Sequence, residues 1–199
     1  MARWQPDAPQ RLAVAALELF EKQGYDDTTV IEIAQRAGLT KSTFFRHCLD
    51  KREVLFGDGA LTALVVDGIA EAPSDATPFE AVAHAMDLLG TTIFTGDRLD
   101  FVVRRSAVID ASPQLREREA LKGLAVTAAM ADTLERRGVP VVAARVGAEC
   151  GSLALELAFE RWSEAGGVEP FGALARHALA EVQSAASLLC DDGRNTESP

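Results

Sequence analysis

The sequence predicts an all-α protein in which three short N-terminal helices are followed by about six longer ones. The composition supports this, because 48% of the 199 residues are hydrophobic and alanine, leucine and glutamate are abundant. Apolar residues also recur every three or four positions between residues that commonly cap helices. Apolar and polar residues alternate over no more than four positions, which disfavours a large β fold.

The first helix is indicated by five apolar residues at helical spacing: Leu12, Ala15, Ala16, Leu19 and Phe20. Asp7 is a suitable N-cap, and Gly24 is a suitable C-terminal stop. A second, short helix is expected after Thr29, because Thr29 and Glu32 have the spacing of a capping box. The second helix is therefore expected to end within three turns, at Gly38.

A third short helix is expected from Lys41 to about Cys48, with Thr40 as its N-cap. The link Ala37–Thr40 gives the second and third helices the dimensions of a helix-turn-helix, with Gly38 suited to a left-handed turn. Ala34 is small where the two helices would cross. Three larger apolar side chains are expected to fill the wedge between them: Ile33, Leu39 and Phe44.

The remaining helices are longer, as is typical of a helical bundle. Asp50 and Glu53 have capping-box spacing and predict a helix over about 51–70. Proline and glycine breaks separate five further predicted helices, at about 79–94, 98–110, 113–137, 141–164 and 171–189.

The outward face of the third helix is polar and basic, and is expected to present Lys41, Ser42, Thr43, Phe45, Arg46 and His47. Residues 36–52 contain five Lys and Arg residues and one acidic residue, although the whole chain has a net charge of −10. A basic helix with unpaired N–H groups at its start attracts phosphate and fits the major groove. The pattern predicts binding to double-stranded DNA, whereas ordinary solvated charge is the alternative for each side chain taken alone.

The segment TTVIEIAQRAGLTKSTFFRHCLDKREVLF, residues 28–56, resembles the signature of the TetR (tetracycline-repressor-like) family of bacterial transcriptional regulators. The resemblance extends back to about Gln10. Residues 191–199 are polar and are expected to form a disordered tail. The resemblance implies a helix-turn-helix DNA-binding domain at 1–50 and a ligand-binding and dimerisation domain at 51–190. It also implies that a bound ligand alters the spacing of two DNA-binding heads.

The resemblance assigns roles to individual residues of the N-terminal region. Thr29 matches the family's phosphate-binding cap, and Lys51 matches a phosphate-binding lysine. Thr40, with the three residues after it, occupies positions that face backbone and base edges. Phe45 stands where a tyrosine is usual, so we expect it to contact a thymine methyl group instead of a phosphate. For His47, a phosphate contact and simple exposure are both open.

The ligand pocket that the resemblance implies has apolar candidates between about residues 79 and 162: Met86, Leu89, Phe94, Phe101, Met130 and Trp162. Each of these also fits an ordinary core position. Arg105 lies on a helix with one apolar face, so it would need an acidic partner or an anionic ligand if it points inward. We therefore expect a mainly apolar small-molecule effector, with surface exposure as the alternative for Arg105.

The last predicted helix carries an apolar stripe from Phe171 to Leu189, which is long for a small monomer. The stripe predicts a homodimer in which the last two helices of both subunits form one face. The expected bulky contact residues are Leu155, Phe159, Leu174, Leu179 and Val182. Gly147 and Gly151 would let helices approach closely.

Other kinds of protein fit the sequence less well. Three cysteines without metal-ligand spacing argue against a disulfide framework and a zinc site, and favour reduced thiols in the cytoplasm. No segment is apolar enough for a signal peptide or a membrane span, and no cofactor is implied. The alternative function is a helical enzyme or binding protein that uses the C-terminal pocket. The sequence contains no GxSxG or HExxH motif and no phosphate-binding glycine loop to support an enzyme.

Overall fold

The computed structural model describes residues 7–57 and 59–191, with side chains to residue 188, and all regular structure in these ranges is helical. The described ranges contain nine α-helices: α1 Ala8–Gln23, α2 Val30–Arg36, α3 Lys41–His47, α4 Ala60–Glu71, α5 Pro78–Thr92, α6 Leu99–Asp110, α7 Pro113–Arg136, α8 Val141–Glu164 and α9 Phe171–Asp191. Two 3-10 turns cover Arg52–Leu55 and Gly96–Arg98. The all-α prediction is confirmed. Residues 192–199 of the predicted tail lie outside the described residues.

The predicted continuous helix over 51–70 is wrong. The cap at Asp50 is present, since its carboxylate accepts the backbone N–H groups of Arg52 at 2.7 Å and Glu53 at 3.2 Å. Only a 3-10 turn follows, because Gly57 and Gly59 adopt φ angles of 64° and 90° that an α-helix does not tolerate. Helix α4 therefore begins only at residue 60.

The chain packs as two compact units. The first unit contains residues 7–60 and 100–122, and the second contains residues 61–99 and 123–191. Val108, Ile109 and Leu115 belong to the same buried cluster as Leu12 and Phe44 of the N-terminal helices. By packing, the first unit therefore extends beyond the boundary predicted at residue 50.

The second unit is built around helices α5, α8 and α9, which pack against one another. Glycines make the close approaches possible. A Cβ atom on Gly90 would lie 2.8 Å from the backbone nitrogen of Gly172, and one on Gly68 would lie 2.5 Å from the Cα atom of Ala85. Gly151 faces Val82, which a Cβ would meet at 2.9 Å. None of the described helices is long and apolar enough to cross a bilayer.

Candidate nucleic-acid interface

The turn between α2 and α3 has the geometry that the sequence predicts. Gly38 adopts a φ of 66°, in the left-handed region. The backbone N–H of Gly38 donates to the carbonyl of Gln35 at 2.9 Å, and that of Leu39 donates to Ala34 at 2.8 Å. These bonds satisfy the last carbonyls of α2 and turn the chain into α3.

The wedge between α2 and α3 is closed by apolar side chains. Ile33, Ala34 and Phe44 are no more than 1% exposed, and Leu39 packs against the same cluster while half-buried. This agrees with the expected packing and fixes the face that α3 presents outward. Cys48 is also buried, and burial, followed by the nearby Glu53 and Asp50 carboxylates, raises the pKa of its thiol.

Arg11 of α1 holds the same turn from a distance in sequence. Its guanidinium donates through Nη2 to the carbonyls of Ala37, in a short contact, and of Gly38, at 3.3 Å. The role of Arg11 was not predictable from the sequence, because no local pattern links two groups 26 positions apart. The helix-turn-helix is thus fixed by a side chain as well as by its core.

Both predicted threonine caps are present. The Thr29 hydroxyl accepts the N–H of Glu32 at 3.2 Å, while the Glu32 carboxylate accepts the backbone N–H of Thr29 at 2.8 Å. Hydrogen bonds from Thr29 lower the pKa of Glu32. The Thr40 hydroxyl accepts the N–H of Thr43 at 3.1 Å and lies 3.0 Å from the Thr43 hydroxyl.

The outward face of α3 is exposed as predicted. Lys41, Ser42, Arg46 and His47 are exposed, and Thr43 is half-buried beside its cap. The Phe45 ring is 48% exposed, and the Lys41 ammonium lies 5.9 Å from its centroid. An apolar ring and two cations therefore share one solvent-facing surface.

Two of the five bases in residues 36–52 are paired with acidic side chains. The Arg36 guanidinium lies 2.7 Å from a Glu18 carboxylate oxygen, and Arg52 lies 2.9 Å from Asp50. Within residues 7–57 and 59–191, neither Lys41 nor Arg46 forms a salt bridge. The charge available to an anionic partner is accordingly smaller than the sequence count indicates.

Lys51 is turned toward the protein. Its Nζ donates to the carbonyl oxygens of Tyr25 at 2.6 Å, Thr28 at 2.8 Å and Asp26 at 3.4 Å. It also lies 4.1 Å from the centroid of the Tyr25 ring. The predicted phosphate contact of Lys51 does not fit this geometry, because all three ammonium protons already face carbonyl oxygens.

Residues 12–57, which include this helix-turn-helix and the turn after it, match the family model for bacterial regulatory proteins of the tetR family. The chain therefore carries a TetR-family helix-turn-helix over these residues. This match confirms the predicted helix-turn-helix and its likeness to DNA-binding transcriptional regulators.

A curated relative supports the assignment. The chain is similar to the HTH-type transcriptional regulator TcmR of Streptomyces glaucescens, with 38% identity over 71 residues, which are 35% of this chain and 31% of TcmR. The chain spans about a third of the length of the curated relatives it matches.

Solved structures share the fold. NalD, described as the secondary repressor of the MexAB-OprM multidrug efflux pump in Pseudomonas aeruginosa, superposes with a TM-score of 0.51 at 19% identity, covering 89% of this chain and 94% of NalD. A transcriptional regulator from Aquifex aeolicus VF5 gives 0.50 at 17% identity, covering 92% of this chain and 99% of that chain. The helical fold that follows the DNA-binding helices is therefore shared with these structures.

Two residues predicted to line a TetR-type ligand pocket lie in the first unit and have other roles. Phe101 packs against the core of that unit. Arg105 donates to the Leu55 carbonyl at 2.7 Å and to both Glu119 carboxylate oxygens at 3.2 and 3.0 Å, with its guanidinium 5.0 Å from the Phe56 ring centroid. The acidic partner that Arg105 would need is a protein carboxylate, which corrects its prediction as a ligand anchor.

Further contacts of the same kind hold the segment after the TetR helix-turn-helix. Arg118 forms a short salt bridge with Glu53, and Lys122 donates to the Phe56 carbonyl at 3.0 Å. Burial lowers the pKa of Lys122. The roles of Arg118 and Lys122 were not predictable from the sequence, since each contact joins groups about 65 positions apart.

The other predicted ligand residues lie in the second unit. Met86, Leu89, Met130 and Trp162 are no more than 2% exposed, and Phe94 is 9% exposed. The Phe94 ring lies 5.8 Å from Trp162 and belongs to a cluster of aromatic residues. In this conformation they are core residues, and their role as ligand contacts stays a prediction.

A groove of about 410 Å³ lies instead in the first unit, between the end of α1 and α6. Its walls include Phe20, Tyr25 and Val103, and the Arg104 guanidinium crosses it to both Glu21 carboxylate oxygens at 2.7 and 2.6 Å. None of the predicted ligand residues lines this groove.

Two of the predicted dimer contacts on α9 are buried within the single chain. Leu179 and Val182 are 4% and 9% exposed, because α5 and α8 of the same chain cover the apolar stripe of α9. Leu155, Phe159 and Leu174 are half-buried. Apolar side chains on α8 are much more exposed: Val142 at 75%, Val146 at 54% and Leu153 at 47%.

Proposed function

We propose that this chain is a homodimeric, ligand-responsive repressor that acts in the cytoplasm on a near-palindromic DNA operator. The observation that carries this proposal is the exposed surface of α3. There Lys41 and Arg46 have no salt-bridge partner in the described part of the chain, and they flank the exposed Phe45 ring. Cations attract the phosphate backbone, whereas Phe45 and Thr43 are suited to contact base edges.

The two-fold symmetry follows from the size of the recognition element. Helix α3 has seven residues and reaches only a few base pairs, so a dimer is needed for a longer site. Two heads in successive major grooves would lie about 34–36 Å apart. Selection from a random duplex library should return paired, inverted half-sites. Recovery of only unrelated or single-stranded sequences would contradict the proposal.

The roles within α3 are separable by salt titration. Lys41→Ala should reduce the salt dependence of binding, because one phosphate contact contributes about 0.9 to the slope of log K against log salt. Phe45→Ala should instead change the preferred bases. Lys22→Ala, which removes an exposed lysine from α1, is the matched control. An unchanged slope in Lys41→Ala together with an unchanged preference in Phe45→Ala would refute this assignment.

The dimer is supported by the exposed face of α8. Val142, Val146 and Leu153 recur at helical spacing on one side of this helix and remain open to solvent in the single chain. Covering such a stripe removes apolar surface from water, which favours association. The small residues on the opposite side of α8 serve packing within the chain.

The effector is proposed to be a mainly apolar small molecule that enters the core of the second unit. Met86 and Met130 support this, since methionine side chains repack readily around a ligand. Trp162 can report ligand entry by its fluorescence, because it is 1% exposed and its ring lies 5.8 Å from Phe94 in the same core.

The effector can be sought by the fluorescence of Trp162 in a Trp4→Phe background across a panel of metabolites, with release of labelled DNA measured in parallel. An inducer should change the emission and lower the DNA affinity together, as differential binding to two states requires. Compounds that bind without altering DNA affinity would count against regulation by this core.

A further inference from the structure

The ammonium of Lys51 sits in a cage of backbone oxygens. Three carbonyls, of Tyr25, Asp26 and Thr28, accept its protons at 2.6–3.4 Å, and the Tyr25 ring covers it at 4.1 Å. A lysine that contacts DNA phosphate would need these protons free, so this side chain is already committed to the protein.

The cage oxygens belong to the turn that leads from α1 into α2. This turn begins at Gly24, with a φ of 84°, and the Thr28 hydroxyl donates to the Gly24 carbonyl at 2.7 Å. Thr28 is 1% exposed, and the next residue caps α2. Lys51 therefore connects the segment after α3 to the turn before α2, on the two sides of the helix-turn-helix.

Arg11 performs the corresponding task at the other turn. Its guanidinium donates to the carbonyls of Ala37 and Gly38 between α2 and α3. Each turn of the N-terminal region is thus held by one cation whose hydrogen bonds go to backbone carbonyls. Such bonds to a charged donor are stronger than neutral ones and have defined geometry.

We propose that Lys51 is a positioning residue for DNA binding: it fixes the turn before α2, and through α2 the placement of α3, without neutralising a phosphate. The proposal rests on the DNA-binding function proposed above and deepens it. The five bases of residues 36–52 then fall into three groups. Lys51 is structural, and Arg36 and Arg52 are paired with carboxylates. Lys41 and Arg46 form no salt bridge with any residue that the structure describes.

Salt dependence distinguishes the two roles. Lys51→Met removes the hydrogen bonds but keeps the aliphatic stem, so DNA affinity should fall by about tenfold, as for one lost hydrogen bond to a charged group. The slope of log K against log salt should stay that of the wild type. Lys22 is an exposed lysine of the same unit, so Lys22→Met is the matched control. It should change neither the DNA affinity nor the salt slope strongly.

The proposal can also be tested by amide hydrogen exchange on the DNA-free protein, which does not require a known operator. Amide hydrogen exchange should accelerate at residues 25–32 in Lys51→Met, and the change should be smaller in Lys51→Gln, which retains an N–H donor. DNA binding and exchange are measured at a temperature at which circular dichroism shows that both variants are folded. Any loss of DNA affinity then reflects the position of the turn and not unfolding. If Lys51 had only a general stabilising role, the folded variants would bind DNA like the wild type.

Two further results would also overturn the inference. A slope reduced by about 0.9 for each subunit in Lys51→Met would mean that Lys51 contacts phosphate after all. Unchanged exchange at residues 25–32 would mean that the cage does not hold the turn. Failure of the wild-type protein to bind any duplex would instead refute the proposed function, while the exchange experiment would still decide whether Lys51 holds the turn.

Discussion

At the scale of single residues, Gly38 shows how little freedom the helix-turn-helix allows. Its φ of 66° disfavours any side chain, and a Cβ atom would lie 2.9 Å from Arg11 Nη2. Arg11 could avoid this Cβ atom only by giving up a hydrogen bond to the turn. The backbone conformation and the hydrogen bonds of Arg11 therefore both require glycine at position 38.

Gly38→Ala should lower the free energy of unfolding by about 1–2 kcal/mol from the left-handed backbone alone, and should weaken DNA binding. Gly123 is the control, because it lies in α7 without a positive φ, and a Cβ added there would meet no atom within 4 Å. Gly123→Ala should raise helix stability by up to about 1 kcal/mol. The free energy of unfolding of both variants is measured by chemical denaturation. Equal changes in the two variants would contradict a special backbone requirement at position 38.

Residue roles were predictable from sequence where the contact was local. Gly38, Ala34 and Phe44 follow from the dimensions of a turn between two short helices, and they are confirmed. Lys51 and Arg105 have protein partners that the sequence did not indicate, because these partners lie 14 to 50 positions away along the chain. Charge in a sequence does not reveal whether carbonyls or carboxylates already satisfy it.

At the scale of elements, the helix boundaries follow from capping chemistry. The Thr77 hydroxyl accepts the N–H of Glu80 at 3.3 Å, while the Glu80 carboxylate accepts the Thr77 N–H at 2.8 Å, so α5 begins with the same capping box as α2. Such signals lie within four residues, which explains why they can be read from sequence. The failure at α4 came from the glycines at 57 and 59, whose positive φ angles outweigh the cap before them.

The capping box of α5 predicts a pH dependence. The backbone and hydroxyl hydrogen bonds of Thr77 lower the pKa of Glu80 from its ordinary 4.5. Because the folded-state pKa is lowered, this stabilisation is present above pH 4.5 and is lost as the pH falls through the folded-state value. Glu80→Ala should therefore unfold at a lower temperature than the wild type at pH 7, and the difference should narrow toward about pH 3.

Glu71, in the last turn of α4, provides the control for this experiment. A carboxylate at a helix C-terminus is unfavourable to the helix dipole, so Glu71→Ala should be neutral or slightly stabilising at pH 7. Thermal unfolding followed by circular dichroism at both pH values is the measurement. If the difference in unfolding temperature between Glu80→Ala and the wild type did not depend on pH, the charge of the Glu80 carboxylate would have no role in the capping box.

At the scale of the whole molecule, the apolar stripe of α9 illustrates what a sequence leaves open. The stripe is real, but α5 and α8 of the same chain cover it, so Leu179 is only 4% exposed. A hydrophobic pattern indicates that a surface is buried and does not identify the partner. The same argument applies to Met86 and Met130, which the sequence marks as apolar and the structure places in the core.

Two charge substitutions separate association from folding. Leu153→Glu places a carboxylate on the exposed face of α8 and should give a folded monomer with much weaker operator binding. Leu179→Glu places one inside the chain and should unfold the second unit. Sedimentation and circular dichroism distinguish the outcomes, and a dimeric Leu153→Glu variant would locate the interface elsewhere.

The sharing of the first unit between residues 7–60 and 100–122 limits how TetR-type DNA specificity could be exchanged between proteins. A chimera that transplants only the segment up to residue 57 would leave Val108, Ile109 and Leu115 facing a foreign surface. It would also lose the cation–π contacts of Arg105 and Lys122 with the Phe56 ring wherever the foreign segment has no aromatic residue there. The smallest transferable module is therefore discontinuous, and grafting a new specificity onto this chain is better done by replacing the outward residues of α3 alone.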